Sequence, residues 1–139
     1  MIELVVGEKG TDKTKLLIAK ANNEIKDTGG KFLYLDTSNK HIYELSHGIR
    51  LLNVHEYNIH SSDMFLGFIY GIASQDYDID KIFLDNFLSI SCIDNMSYVE
   101  TILNELSMIS EKFEIDFIIS ISAKIDEFPE LQKYVTCTL

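Results

Sequence analysis

Apolar positions along the chain recur in two alternating rhythms. Ile2 to Val6 is a short apolar run ended by Gly7, and Lys13 to Thr28 then carries Leu17, Ile18, Ala21 and Ile25 at helical spacing. The opening therefore predicts a strand, a glycine turn and a helix. Gly29 and Gly30 are expected to stop that helix through a left-handed cap, after which Phe32 to Asp36 (FLYLD) has the continuous apolar character of a buried strand. Ile49 to Val54 (IRLLNV) is the third predicted strand, beyond a polar stretch from Asn39 to His47. Ser61 or Ser62 is suited to cap the next helix, which runs through Met64, Phe65, Phe68, Ile69, Tyr70 and Ile72.

Lys81 to Asp85 (KIFLD) predicts a strand that ends in a carboxylate. The helix expected over Ser97 to Phe113 sets Tyr98, Ile102, Leu106, Ile109 and Phe113 along one face, with Glu100, Asn104, Glu105 and Glu111 away from it. Asp116 to Ser122 (DFIISIS) is again continuously apolar, and a short helix from about Pro129 leads into a last strand from Tyr134 to Leu139. Strands that alternate with helices in this way predict an α/β fold. The expected architecture is a three-layer αβα domain spanning 1–139, with a mostly parallel sheet of five or six strands.

Composition narrows the functional classes. With 46% hydrophobic and 24% charged residues, one proline and seven glycines, the chain has the profile of a single globular domain. No apolar run approaches a membrane span, and the N-terminus has no basic region followed by a long apolar stretch, so no secretory signal is expected. Cys92 and Cys137 belong to no CxxC pattern, which fits reduced thiols in the cytoplasm. A net charge of -10 argues against DNA or RNA as a partner, because such affinity comes largely from cationic side chains releasing counterions from phosphates.

One cluster of lysines stands out against that acidic background, and it lies in GEKGTDKT, Gly7 to Thr14, between the first strand and the first helix. A phosphate-binding loop needs glycines so that backbone amides curl round an anion, a lysine for the outer phosphates, and a hydroxyl for Mg²⁺. Gly7, Gly10, Lys13 and Thr14 meet those needs, with Lys9 and Lys15 adding local positive charge. Asp12 stands where the motif has a third glycine. A carboxylate at about 4 Å from a phosphate charge, in an effective dielectric of about 20, is repelled by about 4 kcal/mol.

Over nearly its whole length the chain resembles the RecA-like P-loop NTPase core. The likeness rests on the degenerate Walker A loop GEKGTDKT, the strand FLYLDTS, the lesser strand IRLLNV, the Walker B-like strand IFLDN and the strand IISIS in that order. The resemblance implies an ATP-binding protein in which Asp85 holds the water shell of Mg²⁺, Thr14 contacts the metal directly, and Ser120 or Ser122 stands near the γ-phosphate. ATP is expected over GTP because no NKxD-like base-reading motif is visible. The family's water-polarising Glu corresponds to Ser38 or Asn86, neither of which is a general base, so weak or absent hydrolysis is expected; Asp36 is the remaining candidate for that role. The alternative is a pseudo-NTPase that keeps the fold as an interaction or regulatory module.

His41, His47, His55 and His60 do not have the spacing of a metal site and read as surface or capping residues. The nearly all-apolar Met64 to Ile72 segment calls for deep burial or for coverage by a second copy or a larger protein partner. Arg50 is the chain's only arginine.

Overall fold

The computed structural model describes residues 1–139. Six strands form one sheet in the order β3-β2-β4-β5-β1-β6, every neighbouring pair parallel. They are β1 (Ile2–Gly7), β2 (Lys31–Asp36), β3 (Ile49–Asn53), β4 (Ile79–Leu84), β5 (Asp116–Ser122) and β6 (Val135–Thr138). The helices are α1 (Lys13–Glu24), α2 (Ser62–Gln75), the single turn α3 (Phe87–Ile90) and α4 (Val99–Phe113). The expected αβα architecture is thus present, with six strands and no antiparallel member.

Alternation along the strands divides the core into two layers. Val5, Phe32, Tyr34, Phe83 and Ile118 pack against Leu17, Ile18 and Ala21 of α1. Their strand neighbours, among them Leu4, Leu33, Leu84 and Ile119, face α2 and α4 in a cluster of 26 buried residues, against eight on the α1 side. Continuous apolar runs such as IFL and FIISI follow directly, because each residue of a central parallel strand meets a helix on one face or the other.

α2 is buried along one side only. Phe65, Ile69 and Ala73, four residues apart, are buried, while Met64, Gly67 and Gly71 are exposed, so the helix is apolar in sequence but packed on one side. Ser61 caps it by accepting a hydrogen bond from the Met64 amide at 3.1 Å. α4 begins two residues later than expected, after a 3₁₀ turn over Met96–Tyr98, and Tyr98 stands out in solvent while Ile102, Leu106 and Ile109 are buried.

The end of α1 differs from the expected left-handed glycine cap. The helix tightens into a 3₁₀ turn over Ile25–Asp27 and Thr28 is extended. Gly29 and Gly30 do not have positive φ; Gly10 and Gly48 do. Gly30 is instead a position of close approach, where an added Cβ would collide with the Asp80 carboxylate, itself hydrogen-bonded by Thr28.

The strand order determines where chemistry can gather. β2 sends the chain outward to β3, whereas β4 sends it the other way to β5, so a crevice opens between the carboxyl ends of β2 and β4. Asp36 ends β2 and Asp85 follows β4, flanking that crevice. β1 and its following loop lie beyond β5, one strand further along.

Candidate functional site

The loop from Gly7 to Thr14 is drawn tight around one carbonyl. The Glu8 oxygen accepts from the Thr11 amide at 3.2 Å, the Thr11 hydroxyl at 2.8 Å and the Lys13 ammonium at 3.0 Å. Lys13 also donates to Thr11 Oγ1 at 3.0 Å. Two glycines make this path accessible: Gly10 sits at φ 92°, which L side chains rarely adopt, and a Cβ on Gly7 would lie 2.5 Å from Thr11 Oγ1.

Position 12 does not share that requirement. Asp12 has φ -83° and ψ 45°, within reach of any L residue, and its carboxylate is exposed and caps nothing. The substitution of Asp for glycine therefore strains no backbone. Its exposure also lowers the electrostatic penalty: at about 4 Å in water the repulsion is about 1 kcal/mol, a quarter of the value for a partly buried pair. Lys9 and Lys15 are exposed on either side of it, and Thr14 is half-buried with a hydroxyl that no other side chain engages.

Lys13 itself is only 7% exposed, and burial pulls its ammonium below the ordinary lysine value while the charge of Asp85 pushes back. Lys13 and Asp85 thus act on each other across the carboxyl ends of the sheet without forming a direct ion pair. Thr14 shares no hydrogen bond with Asp85. Instead it lines a groove of about 710 Å³ between α1 and the turn after β2, together with Asp12 and Lys15.

Asp85 is the centre of a buried polar network. Its Oδ2 accepts from the Tyr34 hydroxyl at 2.7 Å, and its Oδ1 accepts from Ser120 Oγ at 2.7 Å and the Asn86 amide at 2.9 Å. Asn86 is held in the left-handed region at φ 53°, and its side-chain amide reaches across to Asp36 Oδ1 at 2.8 Å. The Thr37 amide donates to the same Asp36 oxygen at 2.7 Å. Asp36 Oδ2 takes no partner from the chain; as no sealed polar side-chain atom lacks one, that oxygen keeps access to solvent.

The structure therefore brings Lys13, Asp85, Asp36 and Ser120 together at one end of the sheet, with the glycine loop beside them. Ser122 is exposed two residues beyond Ser120, Ser38 is occupied with the Lys40 amide, and Arg50 lies on edge strand β3 near its amino end. Tyr34 was not expected here. In FLYLD it reads as one more apolar core residue, and only the pairing of β2 with β4 carries its hydroxyl to Asp85. No family model matches the chain, and no curated protein matches it in sequence.

Burial and the adjacent Asp85 charge hold the Tyr34 phenol far above the ordinary tyrosine range. The folded protein keeps this proton where an unfolded chain releases it, so the contribution to stability is full below about pH 10 and declines as pH rises further. In an alkaline absorbance titration Tyr34→Phe is expected to remove one phenol from the set that ionises only on unfolding. At neutral pH the same change is expected to cost about 2 kcal/mol, the value of a buried hydrogen bond to a charged acceptor. Equal melting of the two proteins would show that the bond contributes nothing.

Proposed function

We infer that this chain is a RecA-like P-loop protein of the cytoplasm that binds a nucleoside triphosphate, ATP before GTP, with Mg²⁺. The observation that carries this reading is the arrangement of a glycine-bent loop at the start of α1 with a lysine that feels a buried strand-end carboxylate, Asp85. Amides at a helix start and a nearby ammonium are complementary to phosphate oxygens. On this reading Gly7 and Gly10 permit close backbone approach, Lys13 leaves the Glu8 carbonyl for the outer phosphates, and Lys9 adds attraction from the crest of the loop.

The donor set also suits Mg²⁺, which favours one or two carboxylate or hydroxyl oxygens completed by phosphate and water. Asp85 and Thr14 are the residues that would hold it, Asp85 through water because three of its lone pairs are already engaged. Bound Mg²⁺ would neutralise phosphate charge. Asp36 Oδ2 is the one strand-end carboxylate oxygen free to orient a water molecule, while Asn86 is committed to bridging the two acids. Turnover is therefore expected to be slow, in keeping with binding as the principal activity.

A second reading, a pseudo-NTPase serving as an interaction module, is favoured by the way Lys13 is bound into its own loop. Thermal melting separates the two. Mg·ATP at about a hundred times its Kd is expected to stabilise the protein by about 2.7 kcal/mol, raising Tm on the order of 8 °C, and Lys13→Ala is expected to remove the shift. Absence of a shift in the wild type, with a clear one in Asp12→Gly, would establish the second reading.

A further inference from the structure

Three donors of the loop are spent on a single oxygen of the chain itself: the Thr11 amide, the Thr11 hydroxyl and the Lys13 ammonium all end on the Glu8 carbonyl. The Thr11 hydroxyl is the centre of this arrangement. It gives its proton to Glu8 O at 2.8 Å and accepts one from Lys13 Nζ at 3.0 Å. Its oxygen thus holds a place on the ammonium at the distance any anionic oxygen would take. The same oxygen is the nearest atom to the point where a Gly7 Cβ would stand, 2.5 Å away, so the side chain is folded back over the start of the bend. Glycine at position 7 makes room here for the chain's own hydroxyl.

The two ends of this closed bend are fixed. Gly7 O accepts from the Ala123 amide at 3.1 Å, and Asp12 O accepts from the Leu16 amide of α1 at 3.1 Å. Between them Glu8, Lys9 and Gly10 are exposed, and the Glu8 carboxylate has only the exposed Lys124 beside it, at 3.7 Å. Opening the bend therefore breaks the contacts of Thr11 and Lys13 and leaves the sheet and α1 intact.

We propose that Thr11 is an internal plug: its hydroxyl occupies Lys13 in place of a phosphate oxygen and keeps the empty loop closed until a polyphosphate displaces it. This regulation of the site rests on the phosphate-binding reading of the loop. An incoming anion meets a protein whose open form is the minor population, and its apparent affinity is reduced by that fraction. Removal of the hydroxyl enlarges the open population, so binding gains what the free protein loses. That opposition of signs belongs to a plug alone. A hydroxyl that touched phosphate would weaken binding when removed, and one that only braced the loop would lower stability and leave affinity unchanged.

Calorimetric titration of the full chain with Mg·tripolyphosphate, paired with thermal melts of the free protein, tests the proposal. Thr11→Val keeps the branched shape and deletes the hydroxyl. It is expected to bind tripolyphosphate about tenfold more tightly than the wild type, the equivalent of one hydrogen bond to a charged donor, while the free variant melts lower. In stopped-flow mixing the gain is expected in the association rate, because opening precedes binding. Thr11→Ala makes the same test with less bulk in the bend, and Thr11→Ser, which restores a hydroxyl, is expected to return both properties toward the wild type. Binding by Thr11→Val where the wild type shows none would support a plug that closes the loop fully. Equal or weaker binding by Thr11→Val and Thr11→Ala, with the wild type binding, would overturn the plug and leave the phosphate loop standing. Failure of the wild type and both variants alike to bind would overturn the plug and the phosphate-loop reading together.

Discussion

Asp85→Asn is expected to lower the stability of the free protein by about 3 kcal/mol, through loss of a buried charge on which three donors converge. Tyr34, Ser120 and the Asn86 amide all point their protons at this carboxylate. An asparagine of the same shape can offer one oxygen to them, and its NH₂ group must then face at least one donor. The Tyr34 hydroxyl can turn to accept from that NH₂, but its own proton is then left without an acceptor in a site 1% exposed, where water cannot relieve it. Because the network is buried, the loss is expected to persist at high salt, in contrast to the exposed pairs Lys31–Asp76 and Lys124–Glu8. Denaturant melts at low and at molar salt provide the check: a cost that vanishes with salt would mean that the network is far wetter than its geometry indicates.

The same substitution has a second, electrostatic consequence. Asp85 is what opposes the downward pull of burial on the Lys13 ammonium, so its removal lets the Lys13 pKa fall further. A lysine whose folded pKa lies below its unfolded value binds fewer protons in the native state, and stability then rises with pH between the two values. In Asp85→Asn this rising window is expected to begin at lower pH than in the wild type. Lys13→Ala in the same background is expected to flatten it, which ties the effect to that one ammonium.

Much of this site can be read from the chain before folding. Glycines placed between an apolar run and a helical pattern mark the β1–α1 loop, and acids closing FLYLD and IFLD mark strand ends, since a carboxylate has no place inside a parallel sheet. What stays hidden depends on pairings between distant segments. Tyr34 looks apolar until β2 lies against β4. Gly29 and Gly30 mislead for a related reason. A glycine pair after a helix signals a left-handed cap, yet here the demand comes from Asp80, fifty residues away in sequence at Gly30. Asp12 misleads in the opposite sense, because the motif treats its position as requiring glycine, whereas the backbone at φ -83° does not.

Phe83→Ala is expected to be among the most destabilising single changes, costing about 4 kcal/mol and lowering Tm on the order of 12 °C. Phe83 is fully buried on the α1 side of the sheet, stacked on Tyr34 with ring centroids 6.0 Å apart and tilted against Phe32 at 5.7 Å. This layer has only eight buried residues, against 26 on the other face, so it has few neighbours able to close over the cavity. The position also links stability to the site. Phe83 supports the ring whose hydroxyl reaches Asp85, so Phe83→Ala and Tyr34→Phe are expected to cost less together than the sum of their separate effects. A double-mutant cycle by chemical denaturation measures that coupling. Strict additivity would show that the Tyr34 hydroxyl is held by its acceptor alone, and that the aromatic layer beneath α1 does nothing to position the buried acid.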